Sequence, residues 1–266
     1  MVAGVDGQVH TEIASPAFVL RARPYGESDR IVTFLTEQHG KVSGIAKGAK
    51  NSRRRFAGTL EPFVRVRVVF RQRAASDLAF LLRCEFLGAL HGFTRDLDRF
   101  AAGSYVLELV DRLVFGRESG REVYRLVDDA LTLIDGGMAA DPVLRAFELH
   151  LLAAIGYAPA LARCRGCGRD LDGPAAYLVV VRGGFVCRAC VPAGEPVHPV
   201  GTATVHALAR LAAGPLAAAA DGCVPASILV EAARVAEQLI GAVASGPLRT
   251  RAFLLRARVD SPGGVR

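Results

Sequence analysis

No uncharged apolar run in this sequence reaches the roughly 18 residues that a membrane helix needs. The longest alanine-rich run, Leu211 to Ala220, is broken by Gly214 and Pro215. Met1 to Glu12 lacks a basic start followed by an apolar stretch, so no secretory leader is read. These absences lead to the expectation of a cytosolic chain with no membrane partner. Tryptophan is absent and aromatics make up 7% of residues. Apolar residues still reach 51%, so the composition is globular, without the low hydrophobicity and high charge of a disordered chain. No internal repeat is visible.

Catalytic motifs are missing as well. There is no HExxH, no G-x-S-x-G and no H-x-E paired with PCxxC. His10, His39, His91, His150, His198 and His206 are scattered, which reads as surface or structural histidine. Asp128 and Asp129 are adjacent, so on a helix they diverge by about 100° and do not easily share a metal. Nothing in the sequence demands a reaction, and a non-enzyme is expected.

What the sequence does have is positive charge at one end. The net charge is +7. Residues 1–80 hold 13 Lys/Arg against 7 Asp/Glu, whereas residues 81–163 hold 9 against 12. Such asymmetry points to a polyanionic partner.

The first 87 residues read as β. Phe18-Val19-Leu20 forms a short apolar segment after Pro16, and Asp29 to Thr36 a second strand. Gly40 to Ala46 mixes Val42 and Ile45 with glycines, which suits a bulge or a close backbone approach. Phe63 to Phe70 alternates, with Val64, Val66 and Val68 on one side and Arg65 and Arg67 on the other. Leu78 to Leu87 is a further strand. Five short strands fit an OB-fold, and an SH3-like barrel fits the count nearly as well.

From Asp96 the period becomes helical through Val114. Glu122 to Ile134 is a second helix, closed by Gly136-Gly137. Asp141-Pro142 opens a third, with Asp141 as N-cap. After a Gly-, Pro- and Cys-rich stretch, helices resume near Thr202, at Pro225 to Ala244, and from Leu248. The tail after Asp260 reads as frayed.

Cys164-Arg-Gly-Cys167 and Cys187-Arg-Ala-Cys190 form two CxxC pairs separated by 19 residues. Two such knuckles supply a tetrahedral S4 donor set, which zinc prefers, and the spacing lies within the pattern for paired zinc knuckles. A closed S4 site leaves no place for water, so one structural Zn2+ per chain is expected. Disulfides or reduced bystanders are the alternative. Tyr177 to Val181 with Phe185-Val186 reads as the hairpin of a zinc ribbon. Cys84 and Cys223 stand alone.

Lys41 to Arg55 reads KVSGIAKGAKNSRRR, with six basic residues and no acid. Lys41, Lys47, Lys50, Arg53, Arg54 and Arg55 are candidates for DNA phosphates, extended by Arg65 and Arg67, with Arg71 and Arg73 beyond. Phe34, Phe56 and Phe63 are candidates for base stacking, against burial in the core. A solvated, flexible loop is the plainer reading of such a run. It lacks G-x-x-x-x-G-K-[ST] and is not a P-loop.

These residues fall into a familiar order. Phe18-Val-Leu-Arg-Ala-Arg-Pro-Tyr-Gly-Glu-Ser-Asp29, Thr36-Glu-x-x-Gly40-Lys-Val and Ala46-Lys-Gly-Ala49 resemble the opening of the RecO family of bacterial recombination mediators. Leu60-x-Pro-Phe63, Ser104-Tyr-Val-Leu-Glu-Leu109, and Phe147-Glu-Leu-x-Leu-Leu-x-x-x-Gly156-Tyr-x-Pro159 running into Cys164-x-x-Cys167-Gly168 continue it, and Arg249-Thr-Arg251 also fits. The first fifteen residues lie outside the likeness.

The resemblance implies an α+β chain: an N-terminal five-stranded OB-fold barrel, then an all-helical domain with an inserted zinc-ribbon-like module. The boundaries expected are 1–87 for the barrel, 88–160 for a helical bundle, 161–196 for the cysteine module and 197–266 for helices packing on the bundle. It implies binding of single- and double-stranded DNA, annealing of complementary strands, and loading of RecA with RecR and the single-strand DNA-binding protein. That places the chain in the bacterial cytoplasm, with the nucleoid. Some family members lack the four cysteines, so zinc is not essential to that role. Two other classes remain open: a zinc-ribbon adaptor that binds only proteins, and a zinc hydrolase acting on nucleic acid.

Overall fold

The computed structural model describes residues 11–72, 76–116, 120–221, 224–244 and 246–260. Arg73, Cys223 and the tail after Asp260 lie outside them. The chain divides into two compact units, one of Met1–Ala89 with Phe115–Tyr124, the other of Leu90–Val114 with Arg125–Arg266.

The first unit is a closed barrel of β1 (Glu12–Tyr25), β2 (Asp29–Thr36), β3 (Gly40–Ala46), β4 (Val64–Arg71) and β5 (Ala79–Ala89), in the order β1-β2-β3-β5-β4. β4 returns to pair with β1, and β3 meets β5 in parallel. This closure is the Greek key of an OB-fold, which settles the choice left open by strand count. Val32, Phe34, Val42, Val66, Val68, Phe70 and Leu81 fill the interior. The alternation of β4 holds, because Val66 and Val68 are buried while Arg67 and Arg71 stand outside.

β1 is much longer than the Phe18–Leu20 segment that its apolar residues mark. Its first half pairs with β4 and its second half with β2, and the register shifts between Val19 and Arg21. One strand thus serves both sides of the barrel. Pro16 is tolerated inside it because its carbonyl turns toward Glu37, whose N–H donates to it at 2.9 Å. The missing N–H then faces away from β4 and costs no ladder bond there.

Gly44 makes the close approach that its strand suggests. A Cβ there meets Leu81 Cδ2 at 2.5 Å and the Ala79 carbonyl at 3.0 Å, where β3 pairs with β5. Leu81 is fully buried and has no room to retreat. Gly44→Ala is expected to destabilise the barrel by about 1–3 kcal/mol through overpacking, measured by urea unfolding.

The second unit holds α1 (Leu97–Leu113), α2 (Gly120–Asp135) from Arg125 onward, and α3 (Ala140–Ala154). Asp96 caps α1, its side chain accepting the Arg99 N–H at 3.0 Å. α2 stops at Gly136-Gly137, where Gly137 has φ 95°. α3 differs from expectation at its start: Ala139 takes the cap position and Asp141 sits in the first turn. A carboxylate there still favours the positive end of the helix dipole.

α3 is buried on nearly every side, including Arg145 at 4% and Glu148 at 1% exposure. Arg145 Nε donates to Glu148 Oε2 at 2.6 Å, and the Tyr105 hydroxyl of α1 donates to Glu148 Oε1 at 2.7 Å. Burial pushes the Tyr105 hydroxyl far above its ordinary range, with the Glu148 charge adding to it. Tyr105 therefore remains a donor.

After α3 comes a three-stranded sheet of β6 (Ala175–Val179), β7 (Gly184–Val186) and β8 (His198–Gly201), in the order β7-β6-β8. The β6–β7 pair, Tyr177 opposite Val186, is the hairpin read from the sequence, whereas β8 is new. α4 (Thr202–Ala213), α5 (Leu216–Asp221), α6 (Ala226–Val243) and α7 (Arg249–Asp260) follow. The Glu108 carboxylate of α1 caps α7, accepting the N–H groups of Arg249 at 3.0 Å and Thr250 at 2.7 Å. None of the described helices is long and apolar enough to cross a membrane.

Candidate functional site

The sulfurs of Cys164, Cys167, Cys187 and Cys190 lie within 4.8 Å of one another. All four are free thiols rather than disulfides. A tetrahedron with zinc–sulfur bonds of about 2.3 Å has sulfur–sulfur edges of about 3.8 Å. Cys167 and Cys187 stand 3.9 Å apart, so the donor set fits a metal ion such as zinc.

The local sequence builds this geometry. The Cys164 N–H bonds to the Arg169 carbonyl at 2.8 Å and its carbonyl accepts the Gly168 N–H at 2.9 Å, closing the first knuckle. Gly168 has φ 74°, a conformation that glycine adopts without strain. Gly166 has no room for a side chain: a Cβ there meets Cys190 Cβ at 2.8 Å. The second knuckle closes with the Cys190 N–H on the Cys187 carbonyl at 2.9 Å.

Backbone amides also favour thiolate. Burial opposes ionisation of Cys164, yet N–H groups of Cys187, Cys167 and Gly166 prevail and bring it down to about 6. Cys167 is lowered by the Arg169 N–H and by the Arg169 guanidinium. Cys190 is pushed up to about 12 by the three sulfurs around it. Crowded thiolates of this kind are relieved by a divalent cation.

The cations named from the sequence do not form one group. Lys47, Lys50 and Arg55 lie where the β3–β4 loop meets the β1–β2 turn, and Arg53 and Arg54 are exposed in the same loop. Lys50 Nζ bonds the carbonyls of Gly26 at 3.3 Å and Glu27 at 2.7 Å, and its N–H bonds Ser28. The Arg55 guanidinium bonds the Lys47 carbonyl at 2.8 Å, and the Arg55 carbonyl accepts the Cys84 N–H at 2.8 Å. These bonds tie the loop to the β1–β2 turn and to β5.

Charge separates these residues further. Lys47 Nζ lies 2.7 Å from Asp29, whose carboxyl this ammonium, helped by the Gly48 N–H, holds below the usual range. That cation is compensated. Lys50 and Arg55 bond neutral carbonyls, which orient them and leave their charge intact. Arg53 and Arg54 are exposed and make no ion pair or hydrogen bond among the described residues.

Lys41, Arg65 and Arg67 lie elsewhere on the barrel. Lys41 is the second residue of β3, most of the strand away from Lys47, with its ammonium 5.1 Å from the Phe115 ring. Arg65 faces Phe18 across the β1–β4 ladder, and Arg67 faces Pro16. That is some seven residues or more back from Tyr25, roughly 20 Å of strand. Arg67 also approaches Glu85 at 3.8 Å, and Arg71 approaches Glu12 at 2.6 Å.

For the three phenylalanines, burial in the core, the stronger of the two readings, is what the structure shows. Phe34, Phe56 and Phe63 are 0%, 3% and 4% exposed and serve the core. Arg23 and Tyr25, not singled out from the sequence, are exposed at the end of β1, where Arg23 pairs with Ile31 and Tyr25 with Asp29. Their signal was their place, immediately before the Gly26-Glu27-Ser28 turn.

Comparison with known proteins agrees with this architecture. Residues 11–90 match the family described as Recombination protein O N terminal, and residues 94–252 match Recombination protein O C terminal. The chain is 41% identical over 204 residues to the DNA repair protein RecO of Anaeromyxobacter sp. (strain K), covering 76% of this chain and 80% of that one. It is 37% identical over 243 residues to the DNA repair protein RecO of Geobacter sulfurreducens, covering 91% and 97%. An OB barrel, a helical second unit and both family matches end to end lead to one conclusion: the chain belongs to the RecO family of DNA repair proteins.

Proposed function

We propose that this protein binds single- and double-stranded DNA through the rim at the β1–β2 turn, and anneals complementary strands there. The observation that carries this reading is the uncompensated charge of Lys50, Arg53, Arg54 and Arg55, with Arg23 beside them. Cations of this kind displace the counterions condensed on DNA and lower the repulsion between two strands brought together. The family supports a role with RecR and the single-strand DNA-binding protein in loading RecA, as a mediator that makes and breaks no covalent bond. In this reading Zn2+ sits on Cys164, Cys167, Cys187 and Cys190 and supplies structure rather than chemistry, and the protein works in the cytoplasm.

The same ledger of charge sets the salt dependence. With Lys47 held by Asp29, and Lys41, Arg65 and Arg67 away from the loop, Lys50, Arg53, Arg54 and Arg55 with Arg23 leave four to five phosphate contacts, for a slope of about −3 on single strands. Charge reversal in the pair Arg53→Glu and Arg54→Glu is expected to weaken DNA binding about 100-fold near 0.1 M salt and to flatten the slope by about 1.4. Neither side chain holds the fold, so the variant remains folded. Annealing at the normal rate by this variant overturns the assignment of the surface. Failure of the unmodified protein to bind any oligonucleotide favours the adaptor reading instead.

A further inference from the structure

With the three phenylalanines buried, the rim still carries an aromatic. Tyr25 is 51% exposed. It is the last residue of β1 and pairs across the hairpin with Asp29. Asp29 bonds both Lys47 and the Gly48 N–H, and Lys50 grips the carbonyls of Gly26 and Glu27 next to it. Pro24 precedes Tyr25 and Gly26, with φ 58°, follows it. The ring is therefore carried on a braced turn, and it has no ring partner or hydrogen bond among the described residues.

A single exposed tyrosine is ordinary on a protein surface. Its surroundings are what distinguish this one. The cations of the rim hold phosphates, and a base attached to a held phosphate has its face free only when the strand is unpaired. Base–aromatic stacking tolerates any sequence because every base has a π face. In a duplex those faces are occupied by neighbouring pairs.

We infer that Tyr25 is a stacking platform for one unpaired base, so that this rim favours single strands over duplex. The inference rests on the reading of the rim as a phosphate-binding surface. Phosphate contacts alone do not distinguish the two forms by the faces of their bases. Tyr25 adds a contact that only a single strand can make.

The chain has no tryptophan of its own, so Tyr25→Trp introduces a single indole that can be excited apart from the remaining tyrosines. Its fluorescence is expected to be quenched on saturation with oligothymidine and unchanged with a blunt duplex. Tyr25→Ala is expected to weaken oligothymidine binding about tenfold while duplex binding and the salt slope stay as they were. Tyr25→Phe, which keeps the ring, is expected to bind like the unmodified protein. Unmoved emission at saturation overturns the inference, and so does an equal loss, or no loss, on both forms of DNA in Tyr25→Ala. If the unmodified protein binds neither form, the phosphate reading itself fails, and the Arg53→Glu and Arg54→Glu pair shows that independently.

Discussion

Replacing Cys187 with serine is expected to abolish metal binding and to unfold the β6–β7–β8 sheet while the barrel stays intact. The reason is how little apolar mass this module owns. Leu178, Val179, Phe185, Val186 and Val200 are the large buried side chains of its three short strands, with only Leu161 and Leu171 added from the loops beside them. Segments of this size rarely fold without a staple. Structural zinc contributes about 10–16 kcal/mol to small zinc-finger peptides, so its loss outweighs any other single change considered for this chain. Metal analysis should fall from one zinc per chain to almost none. Hydrogen exchange should reveal lost protection at Tyr177–Val186, with β1–β5 unaffected. Full protection of β6 and β7 in a metal-free protein contradicts the structural role. The Cys84→Ser protein, altered in the barrel core, serves as the contrast, because it should keep its metal.

Removing either partner of the buried pair in α3 is expected to have the next largest effect. Glu148→Ala leaves the Arg145 guanidinium charged inside the helical unit and deprives Tyr105 of its acceptor. Breaking a buried pair from one side costs about 3–5 kcal/mol. Burial works against the Arg145 charge, yet the Glu148 carboxylate more than offsets it and raises the arginine above its ordinary value. Without Glu148 that support is gone, but a guanidinium keeps its proton inside proteins, so deprotonation is no escape for the stranded charge. Arg145→Met combined with Glu148→Leu removes both charges and refills the volume, and should lose much less than either single truncation. Denaturant unfolding of the two single variants and the double variant measures the coupling. A loss below about 1 kcal/mol in Glu148→Ala, the range of exposed pairs, shows that water reaches the pair.

Much of the fold was legible because the residues responsible act locally. β2 and β3 begin and end where the alternation and the glycines put them. The knuckle spacing named all four cysteines that the structure brings together, since CxxC geometry is settled within a few residues. β1 was cut short because Arg21, Arg23 and Pro24 carry no apolar signal, and its length comes from pairing both with β2, the next strand, and with β4, far along the chain. His198–Gly201 was missed because four residues with a proline show no period. Long-range electrostatics were invisible. Nothing in KVSGIAKGAKNSRRR reveals that Asp29, eighteen residues before Lys47, compensates it, or that Lys41, Arg65 and Arg67 lie apart from the loop. Arg145 and Glu148, three residues apart on a helix, look from sequence alone like any solvent-facing pair.

The segment Phe115–Tyr124 belongs to the barrel unit yet arrives only after Leu90–Val114 has been made. When Ala89 leaves the ribosome every barrel strand exists, but two pieces of the wall do not. The Gly116 carbonyl that takes the Lys41 N–H and the Tyr124 ring that lies 5.4 Å from Phe18 are still to come. A nascent chain at that length lacks the ring that covers one side of Phe18, and bared apolar side chains are what chaperones hold and neighbours stick to. An expression fragment stopped at the end of the last barrel strand keeps that side bare for good. Whoever needs the barrel in isolation must splice those ten residues back on.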